Sequence, residues 1–153
     1  MKTRPNLLLT IALASATASV AAAYSFSPTQ TKFTLKGSAL ILIGDSYTGC
    51  TLRLTGRILR HSQDSVIETL SDEGTCGVTA TNLPWTLKAK NATTAAIGNF
   101  AYTVPGNVCP PKTAQATVSG NGVWTLRTKV QGSTDGCRLL ITLPSRPPIT
   151  IVP

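Results

Sequence analysis

An all-β domain, built as one antiparallel β-sandwich or barrel and held by two disulfides, is what this sequence predicts. Three observations carry the prediction. Apolar and polar residues alternate with a period of two in several short runs, and Gly, Pro, Asn and Asp turn signals separate those runs. Four cysteines follow an N-terminal segment that reads as an export signal. With 153 residues, 42% of them hydrophobic and 13% charged, the chain has the means for one core and too little charge for disorder. No segment sustains a period of 3.6, so helices are expected to be few and short.

Residues 1–23 have the three parts of a secretory signal peptide. Lys2 and Arg4 form the positive start, Leu7 to Ala14 an apolar stretch, and Ala21-Ala22-Ala23 a small-residue cleavage site before Tyr24. The stretch after Ala14 is too polar, and the whole too short, for a membrane anchor. The secreted domain is therefore expected to be residues 24–153. It carries 12 basic and 6 acidic side chains, a net +6. The charges are scattered, which predicts a solvated basic surface and no nucleic-acid partner. Arg53, Arg57 and Arg60 form the one local cluster, with Arg53 and Arg57 on the same face if that segment is a strand.

The strands follow in order. Thr31-Lys32-Phe33-Thr34-Leu35 alternates, and residues 38–43 form a solid apolar run that suits a strand covered on both faces. Residues 50–55, 85–90 and 123–130 alternate again, and residues 137–143 and 149–152 are further β-branched or apolar candidates. Turns are expected at Gly44-Asp45, Asp72-Glu73-Gly74, Asn91-Ala92-Thr93, Pro105-Gly106-Asn107, Gly120-Asn121-Gly122 and Asp135-Gly136. Of these, Gly120-Asn121-Gly122 is the strongest hairpin signal. Short strands with regularly spaced turns describe a single sandwich or barrel domain.

Cys50, Cys76, Cys109 and Cys137 all lie in the expected exported part, where an even number implies two disulfides with three possible connectivities. The pairs Cys50–Cys76 and Cys109–Cys137 are favoured because they enclose stretches of similar length. A zinc site is disfavoured: there is no CxxC pair, and His61 is the sole histidine. Asp64, Glu68, Asp72 and Glu73 lack the spacing of a calcium loop and are expected as solvated turn charges. No metal or cofactor is called for. Trp85 and Trp124 open similar alternating runs and are expected to anchor the core. An exposed aromatic platform for a sugar is the second reading of these two residues.

Gly44-Asp45-Ser46, at the end of an apolar run, resembles the first block of GDSL hydrolases, in which Ser46 would be the nucleophile. That chemistry needs an imidazole base oriented by a carboxylate. The last third of the chain holds no histidine, and 130 residues are too few for that family's doubly wound fold. The triplet therefore reads better as a strand-ending turn.

Taken in order, Cys50, Gly74-Thr75-Cys76, Leu83-Pro84-Trp85, Gly106-Asn107-Val108-Cys109-Pro110, the strand through Trp124, Gly136-Cys137 and Ile149-Thr150-Ile151-Val152 resemble the PraB family, the "protein activator of alkane oxidation". Its members are secreted proteins of Gram-negative bacteria. The resemblance implies a non-enzymatic protein in the medium or at the cell surface, with the periplasm as the other compartment. It also implies an association with biofilm, adhesion and growth on alkanes. The four cysteines would serve as staples and Trp85 as a core anchor. Self-association through an exposed sheet edge, or contact with matrix components, is the expected kind of partnership. The alternatives are a binding module for an acidic glycan or small apolar ligand and, last, a Ser46 esterase.

Overall fold

A computed structural model describes residues 23–60, 65–128 and 137–153. Eleven strands and no helix are found among them: β1 (Ser25–Ser27), β2 (Thr31–Ile43), β3 (Ser46–Ile58), β4 (Ser65–Asp72), β5 (Thr79–Thr81), β6 (Trp85–Asn91), β7 (Thr94–Val104), β8 (Asn107–Val118), β9 (Val123–Thr128), β10 (Leu139–Arg146) and β11 (Thr150–Val152). The expected signal segment and His61 lie outside the described residues, apart from Ala23, and so does the Asp135-Gly136 turn.

Each long strand pairs antiparallel with the next, and β10 returns to pair with β2, so the sheet closes on itself. The eight staves are β2, β3, β4, β6, β7, β8, β9 and β10. Short β5 pairs with the far end of β7, in line with β6. Of the two expected architectures, the molecule adopts the barrel. Closure removes the free edge of an open sheet. Edges remain on β5 and on the separate β1–β11 ribbon.

The turns explain the connectivity. Gly44-Asp45 joins β2 to β3, with Ile43 paired to Ser46 and Gly44 at φ +61°. Glycine at the first turn position gives the twist that a two-residue hairpin needs. Between β8 and β9, the Gly122 N–H bonds Ser119 O and Gly122 itself takes φ +77°. This is the three-residue hairpin with a left-handed last residue that its sequence predicts. Gly122 also lies against Ser145 and Pro148, where a Cβ would fall within 3.0 Å of both.

Inward positions alternate along each stave. Phe33, Leu35, Ala39 and Ile41 on β2 face Leu52, Leu54 and Ile58 on β3, and Leu139, Ile141 and Leu143 close the ring from β10. An eight-stranded barrel is just narrow enough for side chains to fill. The enclosed apolar cavity lined by Phe100, Trp124, Leu126 and Ile141 has a volume of about 20 Å³, room for about one water.

The two ends of the barrel are closed differently. At the end bearing the β2–β3 and β7–β8 turns, Cys50–Cys76 ties β3 to the loop after β4. Cys109–Cys137 ties β8 to the start of β10. These are the favoured pairs, with Cα atoms 5.9 and 5.6 Å apart. In the same loop the Asp72 carboxylate accepts the N–H groups of Gly74, Gly77 and Val78. At the opposite end the β1–β11 ribbon brings in Phe26, fully buried. Its ring stacks on Trp124 at 5.7 Å, with Phe33 on the same indole at 6.4 Å. Ser145 locks the ribbon's return, accepting the Ile149 N–H and donating to Gly122 O.

One expectation is corrected. The run over residues 38–43 is covered on one face only. Ala39 and Ile41 are buried, but Leu40 points outward and is 45% exposed. A barrel wall has one interior, and no second layer among the described residues covers this one.

Candidate functional site

The outer wall formed by β10, β2 and β3 is apolar toward one end of the barrel and charged toward the other. Strand alternation places even-numbered residues of β2 and odd-numbered residues of β3 outside. Cross-strand pairing then sorts them into rows.

The two rows at the disulfide-bonded end are apolar. Leu42 is opposite Tyr47, which is 57% exposed, and the Leu42 N–H bonds the carbonyl of Arg138. In the next row Leu40 has Leu140 on one side and Gly49 on the other, and Leu140 pairs in turn with Arg127. The bare backbone of Gly49 leaves room for the Leu40 side chain. Arg127 and Arg138 are exposed and bracket this patch on the β9–β10 side. Val108, the most exposed large apolar residue among the described ones at 69%, sits at the same end, its carbonyl 3.8 Å from the disulfide-bonded Cys137 Sγ.

The middle of the wall is neutral. Ser38 has Thr51 and Thr142 as cross-strand neighbours. Toward the ribbon-covered end the wall turns ionic: Lys36 is opposite Arg53, and Lys32 opposite Arg57. Like charges placed directly opposite repel, and the acids of β4 and its loop relieve this. Glu73 bridges Lys36 and Arg53 at 2.5 Å each, and Arg57 reaches Glu68 at 2.7 Å. The hydrogen bonds from Lys36 and then Arg53 hold the Glu73 carboxyl below its ordinary range. A β-bulge between Thr55 and Gly56 on the β3–β4 ladder brings Glu68 outward to meet Arg57. Lys32, Arg57 and Arg60 line a shallow depression of about 450 Å³.

The residues singled out from sequence are found in these places. Arg53 and Arg57 share the outer face of β3, with Arg60 just beyond its end. Of the acidic residues, Asp64 lies outside the described residues, and Glu68, Asp72 and Glu73 do not converge: two pair with basic residues and Asp72 with backbone. Among the described residues no three acidic, Cys or His side chains gather into a metal-binding group.

Trp85 is fully buried, its Nε1 donating to Thr81 O at 2.9 Å and its ring 4.6 Å from Phe100. Trp124 is 3% exposed. Neither indole is presented to solvent as a platform. Ser46 begins β3 on the solvent side of the hairpin. Arg60 and Ser65, the described neighbours of His61, lie at the other end of the barrel, roughly 40 Å along β3. Sequence reasoning missed the apolar patch. Its signal was the unbroken apolar run at residues 38–43, half of which had to face outward if the fold was a barrel.

Compared with known proteins, a family model described as alkane oxidation protein activator PraA/PraB-like matches residues 1–153, the whole chain. No curated protein and no solved structure matches.

Proposed function

The chain belongs to the PraA/PraB-like family of alkane oxidation protein activators, and from that premise we propose a non-enzymatic exported protein of the cell surface or matrix. It supports contact with hydrophobic substrates such as alkanes, and through the same surface it supports biofilm and adhesion. The observation that carries this reading is the apolar patch of Leu40, Leu42, Tyr47 and Leu140 on a rigid wall. Exposed apolar side chains grouped on one face, with polar residues around them, are the usual mark of a contact surface. The filled interior adds support, since a barrel packed with side chains works through its outside. Two disulfides are compatible with an extracellular or periplasmic location.

Fractionation of the native host, with the processed protein probed on a non-reducing gel, tests this proposal. The reading predicts recovery from the medium or cell surface with all four thiols oxidised. Confinement to the periplasm would sink it and leave a periplasmic binding role.

A second reading rests on the ionic end of the wall. The depression lined by Lys32, Arg57 and Arg60 suits the carboxylates of an acidic glycan. Saturable binding to an acidic polysaccharide, weakened by added salt and lost in Lys32→Gln/Arg60→Gln, would favour it over the apolar patch.

A further inference from the structure

We infer that the apolar end of the β10–β2–β3 wall docks on an anionic lipid surface, with Leu40, Leu42, Tyr47 and Leu140 entering the interface and Arg127 and Arg138 contacting headgroup phosphates. The inference rests on the contact-surface reading above and adds the chemistry of the partner.

The argument is positional. The two apolar rows and the two arginines belong to the same cross-strand ladder: Arg127 neighbours Leu140, which neighbours Leu40, while the backbone of Arg138 is bonded to Leu42 beside Tyr47. Apolar insertion and phosphate contact can therefore occur together, without rearrangement. Tyr47 adds an amphipathic ring of the kind that sits at headgroup level.

Charge decides the type of lipid. Among the described residues the carboxylates of Glu68 and Glu73 are engaged with Arg57, Lys36 and Arg53 farther along the wall, and Asp72 is tied to backbone. Asp45, in the β2–β3 turn, is the acid nearest the patch in sequence. On the β9–β10 side the described rim is cationic through Arg127 and Arg138, which complements phosphate and gains nothing from a neutral surface. The neighbouring disulfides hold the ends of β3, β8 and β10 at this end of the barrel. The patch is thereby presented as a stiff plane, with little ordering cost on docking.

Flotation of the oxidised full-length mature protein tests this with three probes. They are vesicles of phosphatidylcholine alone, vesicles containing one-third phosphatidylglycerol, and hexadecane droplets. The expected result is binding to the phosphatidylglycerol vesicles at least tenfold tighter than to phosphatidylcholine. Arg127→Gln/Arg138→Gln should weaken that binding about thirtyfold while leaving hexadecane adsorption intact. Leu40→Ser/Tyr47→Ser should weaken both. Thermal melts confirm that each variant is folded, and all four positions have exposed side chains. Equal binding to the two kinds of vesicle, or an arginine variant indistinguishable from wild type, overturns the inference. Hexadecane adsorption without vesicle binding also overturns it but leaves the contact-surface reading standing. Vesicle binding without hexadecane adsorption supports the docking and removes the alkane-contact reading.

Discussion

The two ends of the barrel solve the same problem by different means. At one end the rim is covalently stapled, with Cys50–Cys76 and Cys109–Cys137 tying strands to the loops beside them. At the other, the β1–β11 ribbon inserts Phe26 against Trp124 and Phe33, and Ser145 fastens the return by hydrogen bonds. The stapled end is also the one with an apolar outer wall, and the plugged end the one with an ionic wall. The contrast teaches that the end held covalently need not hide its apolar side chains. Packing that would otherwise be needed to close the rim is left free to face outward.

The largest test of this contrast falls on the plug. Trp124→Ala should cost about 3–5 kcal/mol, read by denaturant unfolding, because it removes the platform shared by Phe26 and Phe33. Trp124→Phe should cost far less, since the Trp124 Nε1 is buried and has no hydrogen-bond partner among the described residues to lose. At Trp85 the same change also removes the bond to Thr81 O and should cost more than at Trp124.

The staples come next. Replacing either cysteine pair by alanine should destabilise by about 3 kcal/mol in the chain-entropy view of loops of this size. Hydrogen exchange then sharpens the comparison. Reduction should release protection around residues 48–51 and 139–141 while residues 123–126 stay protected. Equal loosening of both ends would show that the staples and the plug form one cooperative unit.

A smaller effect is expected from Gly56→Ala, where a new Cβ meets the Phe33 ring and the Val66 carbonyl. A loss of about 1–3 kcal/mol is the usual range for overpacking.

The smallest concerns Glu73. Its folded-state pKa is depressed below the ordinary value of 4.5, so its stabilisation is fully present above that value. As pH falls through the folded value the contribution disappears. Glu73→Gln should therefore lower stability slightly in the neutral range, as an exposed pair warrants, and the difference from wild type should vanish as pH falls through the folded value.

Much of the barrel could be read from the sequence because β3, β6, β9 and the first half of β2 alternate with a period of two. The turns at Gly44-Asp45, Pro105-Gly106 and Gly120 to Gly122 carry the residues that their geometry demands. The staves that escaped are β4, β7 and β8, and each has a physical reason. The bulge opposite Thr55/Gly56 shifts the parity of β4. In β7 the ladder slips between Ile97 and Phe100, around Asn99 at φ +59°. Pro110 and Pro111 interrupt the β8 ladder between Cys109 and Lys112.

The site was less legible than the fold. Which half of residues 38–43 faces water depends on barrel closure by β10, and pairing that distant leaves no trace in a local pattern. The bracketing of the patch by Arg127 and Arg138 likewise exists only through the register of β9, β10 and β2.

The claim at the centre of this account is that the protein meets hydrophobic substrate through the apolar end of its outer wall. Adsorption of the purified, oxidised protein to hexadecane droplets tests it most directly, comparing wild type with Leu40→Ser/Tyr47→Ser and with Leu83→Ser, an exposed leucine elsewhere on the molecule. The account predicts saturable adsorption that falls about tenfold or more in the double variant and is unchanged in Leu83→Ser. Equal adsorption by all three proteins, or none by wild type, would contradict it.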